Sequence, residues 1–99
     1  MSIINLKKDD NIALITINRP NALNALSSFV ISELIDLIAK LDRDKEISAI
    51  VLTGSGEKSF IAGADIKEMK NFSKDEANNY CNEGQKLTVL IEELSKPVI

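Results

Sequence analysis

Ninety-nine residues, 44% hydrophobic and 27% charged, make one globular domain at most and exclude a disordered chain. A net charge of −3 with no basic stripe excludes nucleic acid as the main partner. With no histidine and one cysteine, the chain can build no His triad, no His metal site and no internal disulfide.

Met1-Ser2 lead into a polar and apolar mix that lacks the apolar core of a signal peptide. No apolar run approaches the roughly 20 residues of a membrane span, so the expectation is a soluble, cytoplasmic protein. Residues 3–6 form a short strand-like run, and Lys7-Lys8-Asp9-Asp10-Asn11 reads as the turn of a hairpin. Ile12-Ala13-Leu14-Ile15-Thr16-Ile17 is almost all apolar and rich in β-branched residues, which predicts a buried strand. Asn18-Arg19-Pro20 breaks it, because proline lacks an N–H and pushes the preceding residue out of the helical region.

Residues 21–26 read as a loop, and Ser27 or Ser28 can cap the helix that follows. Val30, Leu34, Leu37, Ile38 and Leu41 recur at helical spacing within residues 29–41, opposite Glu33, Asp36 and Lys40. Residues 42–46 are a charged exit, and residues 47–53 form a second strand, apolar on both faces. Strand, helix and strand with continuous apolar strands predict a parallel βαβ unit. Gly54-Ser55-Gly56-Glu57-Lys58-Ser59 departs from a phosphate-binding loop, since Glu57 separates Gly56 from Lys58 and no helix follows directly.

Phe60-Ile61-Ala62-Gly63-Ala64-Asp65-Ile66-Lys67-Glu68-Met69 then falls beyond the C-terminal end of that strand, where open α/β sheets place ligands. Ala62-Gly63-Ala64 has almost no side-chain bulk, and Asp65 can cap a short helix from Ile66. Two readings follow: a tight loop with a helix cap, or bare backbone N–H groups offered to a developing oxyanion. Asp65 and Glu68 are the nearest carboxylates, read as a cap and an exposed helix residue. Ser73-Lys74-Asp75-Glu76 is a capping box that opens a long helix. Its apolar stripe is Ala77, Tyr80, Cys81, Gly84, Leu87, Ile91 and Leu94, with Cys81 as a small buried hydrophobe. Ser95-Lys96 ends the helix and Pro97-Val98-Ile99 opens a further apolar strand; an apolar strand with no polar tail is read as a truncated chain.

Three of these stretches, in order, resemble the enoyl-CoA hydratase/isomerase (crotonase) family. Asn18-Arg19-Pro20-Asn21-Ala22-Leu23-Asn24-Ala25-Leu26 is similar to its N-R-P-x-x-x-N-A-L signature. Ala62-Gly63-Ala64-Asp65-Ile66 is similar to its A-G-A-D-[IL] segment. Lys96-Pro97-Val98-Ile99 is similar to the strand before its second glycine-rich turn. The resemblance covers all 99 residues and implies an α/β fold: the N-terminal part of a crotonase-type ββα spiral, with hairpin-like strands, one βαβ unit and a long packing helix.

It also implies the acyl-CoA-binding part of an enoyl-CoA hydratase, in which the backbone N–H of Ala64 donates to the thioester carbonyl. Ala22, Leu23, Ala62, Ala64, Asp65, Ile66 and Lys67 would line the channel for the CoA moiety. Asn21 stands where many relatives carry Lys or Arg, which weakens a phosphate contact at that position. The implied partner is an acyl-CoA thioester, with coenzyme A as part of the substrate, no separate cofactor, and a homo-oligomer (trimer or dimer of trimers) in the full-length parent. The family's working glutamates and second oxyanion glycine come from segments that follow the Lys-Pro-Val-Ile strand. An isomerase, hydrolase or decarboxylase acting on acyl-CoA, or a non-catalytic self-associating fragment, is the alternative reading.

Overall fold

The computed structural model describes residues 3–99; Met1 and Ser2, where the absence of a signal peptide was argued, lie outside them. Strand β1, Ile4–Asp9, pairs antiparallel with β2, Ile12–Ile17, and β2 pairs parallel with β3, Ala49–Gly54. The hairpin turn is therefore only Asp10-Asn11, with Asp10 at φ 54, and Lys7, Lys8 and Asp9 belong to the strand. A solvated edge tolerates these charges, and they discourage pairing with a further chain. The expected turn was drawn three residues too early for that reason.

Helix α1, Ser28–Asp42, connects β2 to β3 and completes the expected βαβ unit. Ser27 is its N-cap, its hydroxyl accepting from the Val30 N–H at 3.2 Å. Val30, Ile31, Leu34, Ile38 and Leu41 are buried, and Leu37 only half so. A short helix α2, Ile66–Met69, and a long helix α3, Lys74–Glu93, follow. Residues 97–99 return to the sheet on the far side of β3. The Ile50 N–H donates to Pro97 O (3.0 Å), the Ile99 N–H to Ile50 O (2.9 Å) and the Leu52 N–H to Ile99 O (2.8 Å). The expected single βαβ unit is thus followed by a second parallel crossover, through α3.

The helices cover one face of the sheet. Ala13, Ile15 and Ile17 of β2 and Ile50 of β3 point into that layer and are completely buried with α1 residues, Tyr80 and Leu87. Ile12 points to the other face and is 45% exposed, so β2 alternates rather than being buried on both sides. Only Ile50 of β3 is fully buried.

The expected stripe on α3 needs one correction. Cys81 is exposed, because it lies one residue, about 100° around the helix, from Tyr80. Leu90 joins Leu87, Ile91 and Leu94 against the core instead. The capping box is formed: the Glu76 N–H donates to Ser73 Oγ and the Ser73 N–H to Glu76 Oε1, both at 3.2 Å. Ser73→Ala is expected to lower stability by about 0.5–2 kcal/mol in denaturant unfolding. An unchanged midpoint would mean that this end of α3 contributes nothing to the fold.

Candidate functional site

Because β2 and β3 run parallel, the loops that leave them emerge at the same end of the sheet. They are stitched at once: the Ser55 N–H donates to Ile17 O (2.8 Å), and Ser55 Oγ to Asn18 Oδ1 (2.8 Å). Pro20–Ala22 forms a single 3₁₀ turn, followed by Leu23 and Asn24 in the left-handed region at φ 52 and 58. Asparagine adopts that region readily, leucine seldom. The reversal sends Leu23 outward, 44% exposed, and turns Asn24 inward, 1% exposed.

Asn24 then acts as a hub. Its Oδ1 accepts from the Arg19 N–H, and its Nδ2 donates to Ser55 O and Ser59 O, each at 2.9 Å. One buried amide therefore closes the first loop on itself and moors the second. Gly54 lies beneath it: a Cβ there would stand 2.0 Å from Phe60 O and 2.5 Å from Asn24 Nδ2, so only glycine fits.

The moored second loop leads into the Ala62-Gly63-Ala64 stretch, which runs alongside residues 23–26. The Ala62 N–H donates to Leu23 O (3.0 Å), the Leu26 N–H to Gly63 O (2.7 Å) and the Asp65 N–H to Leu26 O (3.2 Å). The last two bonds form a single parallel rung between Leu26 and Ala64. They use the groups on either side of Ala64. Its own N–H points away from Leu26 and meets no acceptor among the described residues. Gly63, at φ 129, supplies the backbone turn that permits this. Ala62, Ala64, Ile66 and Lys67 are exposed, with Phe60 and Ile66 at 53% and 73%, so the bare N–H lies in a stretch of exposed, mostly apolar residues.

Asp65 caps α2, accepting from the Glu68 N–H at 3.2 Å. Its other oxygen accepts from the Arg19 guanidinium at 3.0 Å, which holds the carboxyl below its ordinary pKa; the bond from Glu68 adds to this. Arg19 also donates to Ala25 O at 2.7 Å. Glu68 is not a free surface residue: its carboxylate accepts from the Ser28 N–H (2.9 Å) and the Ser28 hydroxyl at the start of α1. From α3, the Tyr80 hydroxyl donates to Leu26 O and accepts from the Asp65 N–H at 3.3 Å. Burial pushes that phenol above its ordinary pKa, so it stays protonated as a donor.

A cleft of about 380 Å³ opens between Pro20 and Leu23 on one side and the 55–59 loop, including Lys58, on the other. Of the expected channel residues only Leu23 borders it. Ala62, Ala64, Asp65, Ile66 and Lys67 lie along the adjoining 62–65 stretch and α2, and Ala22 closes the 3₁₀ turn. Arg19, Asn24, Lys58 and Tyr80 were expected to have no role in the site, Tyr80 standing only in the apolar stripe of α3. Only the N-R-P-x-x-x-N pattern signals the first two, and nothing local signals Tyr80. Among the described residues no cluster of His, Cys, Asp or Glu could hold a metal, and no helix is long and apolar enough to cross a membrane.

The chain has counterparts among known proteins. Residues 7–99 match the family described as enoyl-CoA hydratase/isomerase. The short-chain-enoyl-CoA hydratase of Clostridium acetobutylicum is 47% identical over 94 residues, and the crotonyl-CoA hydratase of Syntrophomonas wolfei 44% over 94. In both, the match takes in 95% of this chain and 36% of the relative, so the chain spans about a third of the length of these curated relatives. Among solved structures, the enoyl-CoA hydratase of Bacillus anthracis superposes with a TM-score of 0.94 at 26% identity, covering 98% of this chain and 38% of that one. That of Mycobacterium smegmatis gives 0.93 at 31%, covering 99% and 38%.

Proposed function

The chain belongs to the enoyl-CoA hydratase/isomerase family, and from that premise we propose that it is the acyl-CoA-binding part of an enoyl-CoA hydratase. The reaction is addition of water across the double bond of a 2-enoyl-CoA. The observation that carries this reading is the Ala64 N–H, which meets no acceptor among the described residues and lies in a stretch of exposed, mostly apolar residues. Hydration moves charge onto the thioester oxygen. A donor fixed in advance stabilises that charge more in the transition state than in the ground state. Two relatives whose names specify hydratases favour this reaction over isomerisation or hydrolysis on the same donor.

In this reading Ala22, Leu23, Ala62, Asp65, Ile66 and Lys67 border the CoA moiety and Ala64 meets the carbonyl. Coenzyme A arrives as part of the substrate, and no separate cofactor takes part. The working protein is a cytoplasmic homo-oligomer that serves fatty acid metabolism. The test is loss of enoyl-thioester absorbance when the full-length protein carrying these residues meets crotonyl-CoA. A steady fall is expected. Constant absorbance with crotonyl-CoA bound would remove the hydratase assignment and leave only acyl-CoA binding.

A further inference from the structure

We propose that Tyr80 is a positioning residue for this reaction: from α3, its hydroxyl holds the backbone around Ala64 so that the Ala64 N–H keeps its direction. The inference rests on the oxyanion reading of Ala64.

Ala64 lies between two peptide planes. The first, shared with Gly63, is held through Gly63 O by the Leu26 N–H at 2.7 Å; the second, shared with Asp65, is held through the Asp65 N–H by Leu26 O at 3.2 Å. That is the whole of the rung among the described residues, since the Leu26–Ala64 bridge is isolated and the only other backbone bond between the two stretches runs from the Ala62 N–H to Leu23 O. Gly63 next to it has the widest dihedral freedom of any residue. The Tyr80 hydroxyl doubles both ends of the second bond. It donates to the same Leu26 O and accepts from the same Asp65 N–H.

Tyr80 is well placed to do this. Its ring is buried in the core and packs against Phe72 with centroids 5.5 Å apart, so the hydroxyl is delivered from a fixed body. Packing alone would be satisfied by the ring. The hydroxyl instead ends on the plane that follows Ala64 and on Leu26, whose N–H holds the plane that carries the donor. A misdirected donor loses transition-state stabilisation with little change in binding, because the rest of the acyl-CoA keeps its contacts.

The experiment compares Tyr80→Phe and Phe72→Leu with wild type in the full-length protein. The readouts are kcat, KM and the red shift of a bound dienoyl-CoA, whose absorption moves when its thioester oxygen accepts a strong hydrogen bond. Tyr80→Phe is expected to lower kcat roughly tenfold, the scale of one hydrogen bond, with KM changed less than about twofold and the red shift reduced. Phe72→Leu loses the ring contact but keeps the hydroxyl, and is expected to lower stability while retaining the red shift. The proposal is overturned if Tyr80→Phe keeps the full shift and kcat, or if Phe72→Leu loses as much of the shift as Tyr80→Phe. A wild-type protein that binds the dienoyl-CoA without any shift would overturn the oxyanion reading itself, and this inference with it.

Discussion

Ala64→Pro in the full-length protein is expected to lower kcat by roughly 10²–10³, the effect of deleting one oxyanion donor. Proline removes the N–H and leaves the chain otherwise continuous. The bonds on either side, from Leu26 N–H to Gly63 O and from Asp65 N–H to Leu26 O, do not involve the group that is lost. The rung can therefore persist, and the loss falls on the transition state. Ala64→Ser is the companion: it keeps the N–H and adds one oxygen at an exposed position. It should retain most of the activity. Equal losses in the two variants would mean that bulk at position 64 matters and the donor does not. Circular dichroism checks that the proline variant is folded. A folded Ala64→Pro protein with unchanged kcat would take Ala64 out of the mechanism.

Residues 1–99 by themselves are expected to give no measurable hydration. Adding water needs a base for the water, an acid for the α-carbon and donors for the enolate oxygen. The segment offers one such donor, at Ala64. Its nearby carboxylates are already engaged. Asp65 is held by Arg19 and by the α2 N-terminus, which favours its ionised form and makes it a poor acid. Glu68 is taken up by the start of α1. The cleft is also bordered on two sides only, so an acyl-CoA would keep much of its surface in water. The assay is loss of enoyl-thioester absorbance with the purified segment. Turnover in the ordinary enzymatic range, roughly 1–10³ s⁻¹, would show that the segment carries its own acid and base, and Glu68 would be the first residue to replace.

What could be read from the sequence was whatever depends on near neighbours. The β-branched run 12–17, the spacing of Val30, Leu34, Ile38 and Leu41, and the Ser73–Glu76 box each express a local preference, and each formed. Lys7, Lys8 and Asp9 misled because an edge strand needs no apolar pattern. Cys81 misled because an apolar residue beside a stripe looks like part of it. In the site, the bulk-free Ala62-Gly63-Ala64 stretch and the Asp65 cap were legible. The parts that hold them were not. Asn24 reaches partners 31 and 35 residues away, Arg19 reaches Asp65 across 46, and Tyr80 reaches Leu26 across 54. No window of periodicity spans such distances; they exist only once the sheet and α3 have docked.

The order of strands across the sheet has a consequence for synthesis. β1, β2, β3 and residues 97–99 stand side by side in the order in which they occur in the chain. Each strand after β1 therefore emerges from the ribosome with one neighbour already present, so only the edge of the latest strand stays open at any stage. The two crossovers that must close are long, but helices span most of each and the entropy of closing a loop grows only slowly with its length. Ala64 and Tyr80, the proposed donor and its brace, are both translated before residues 97–99.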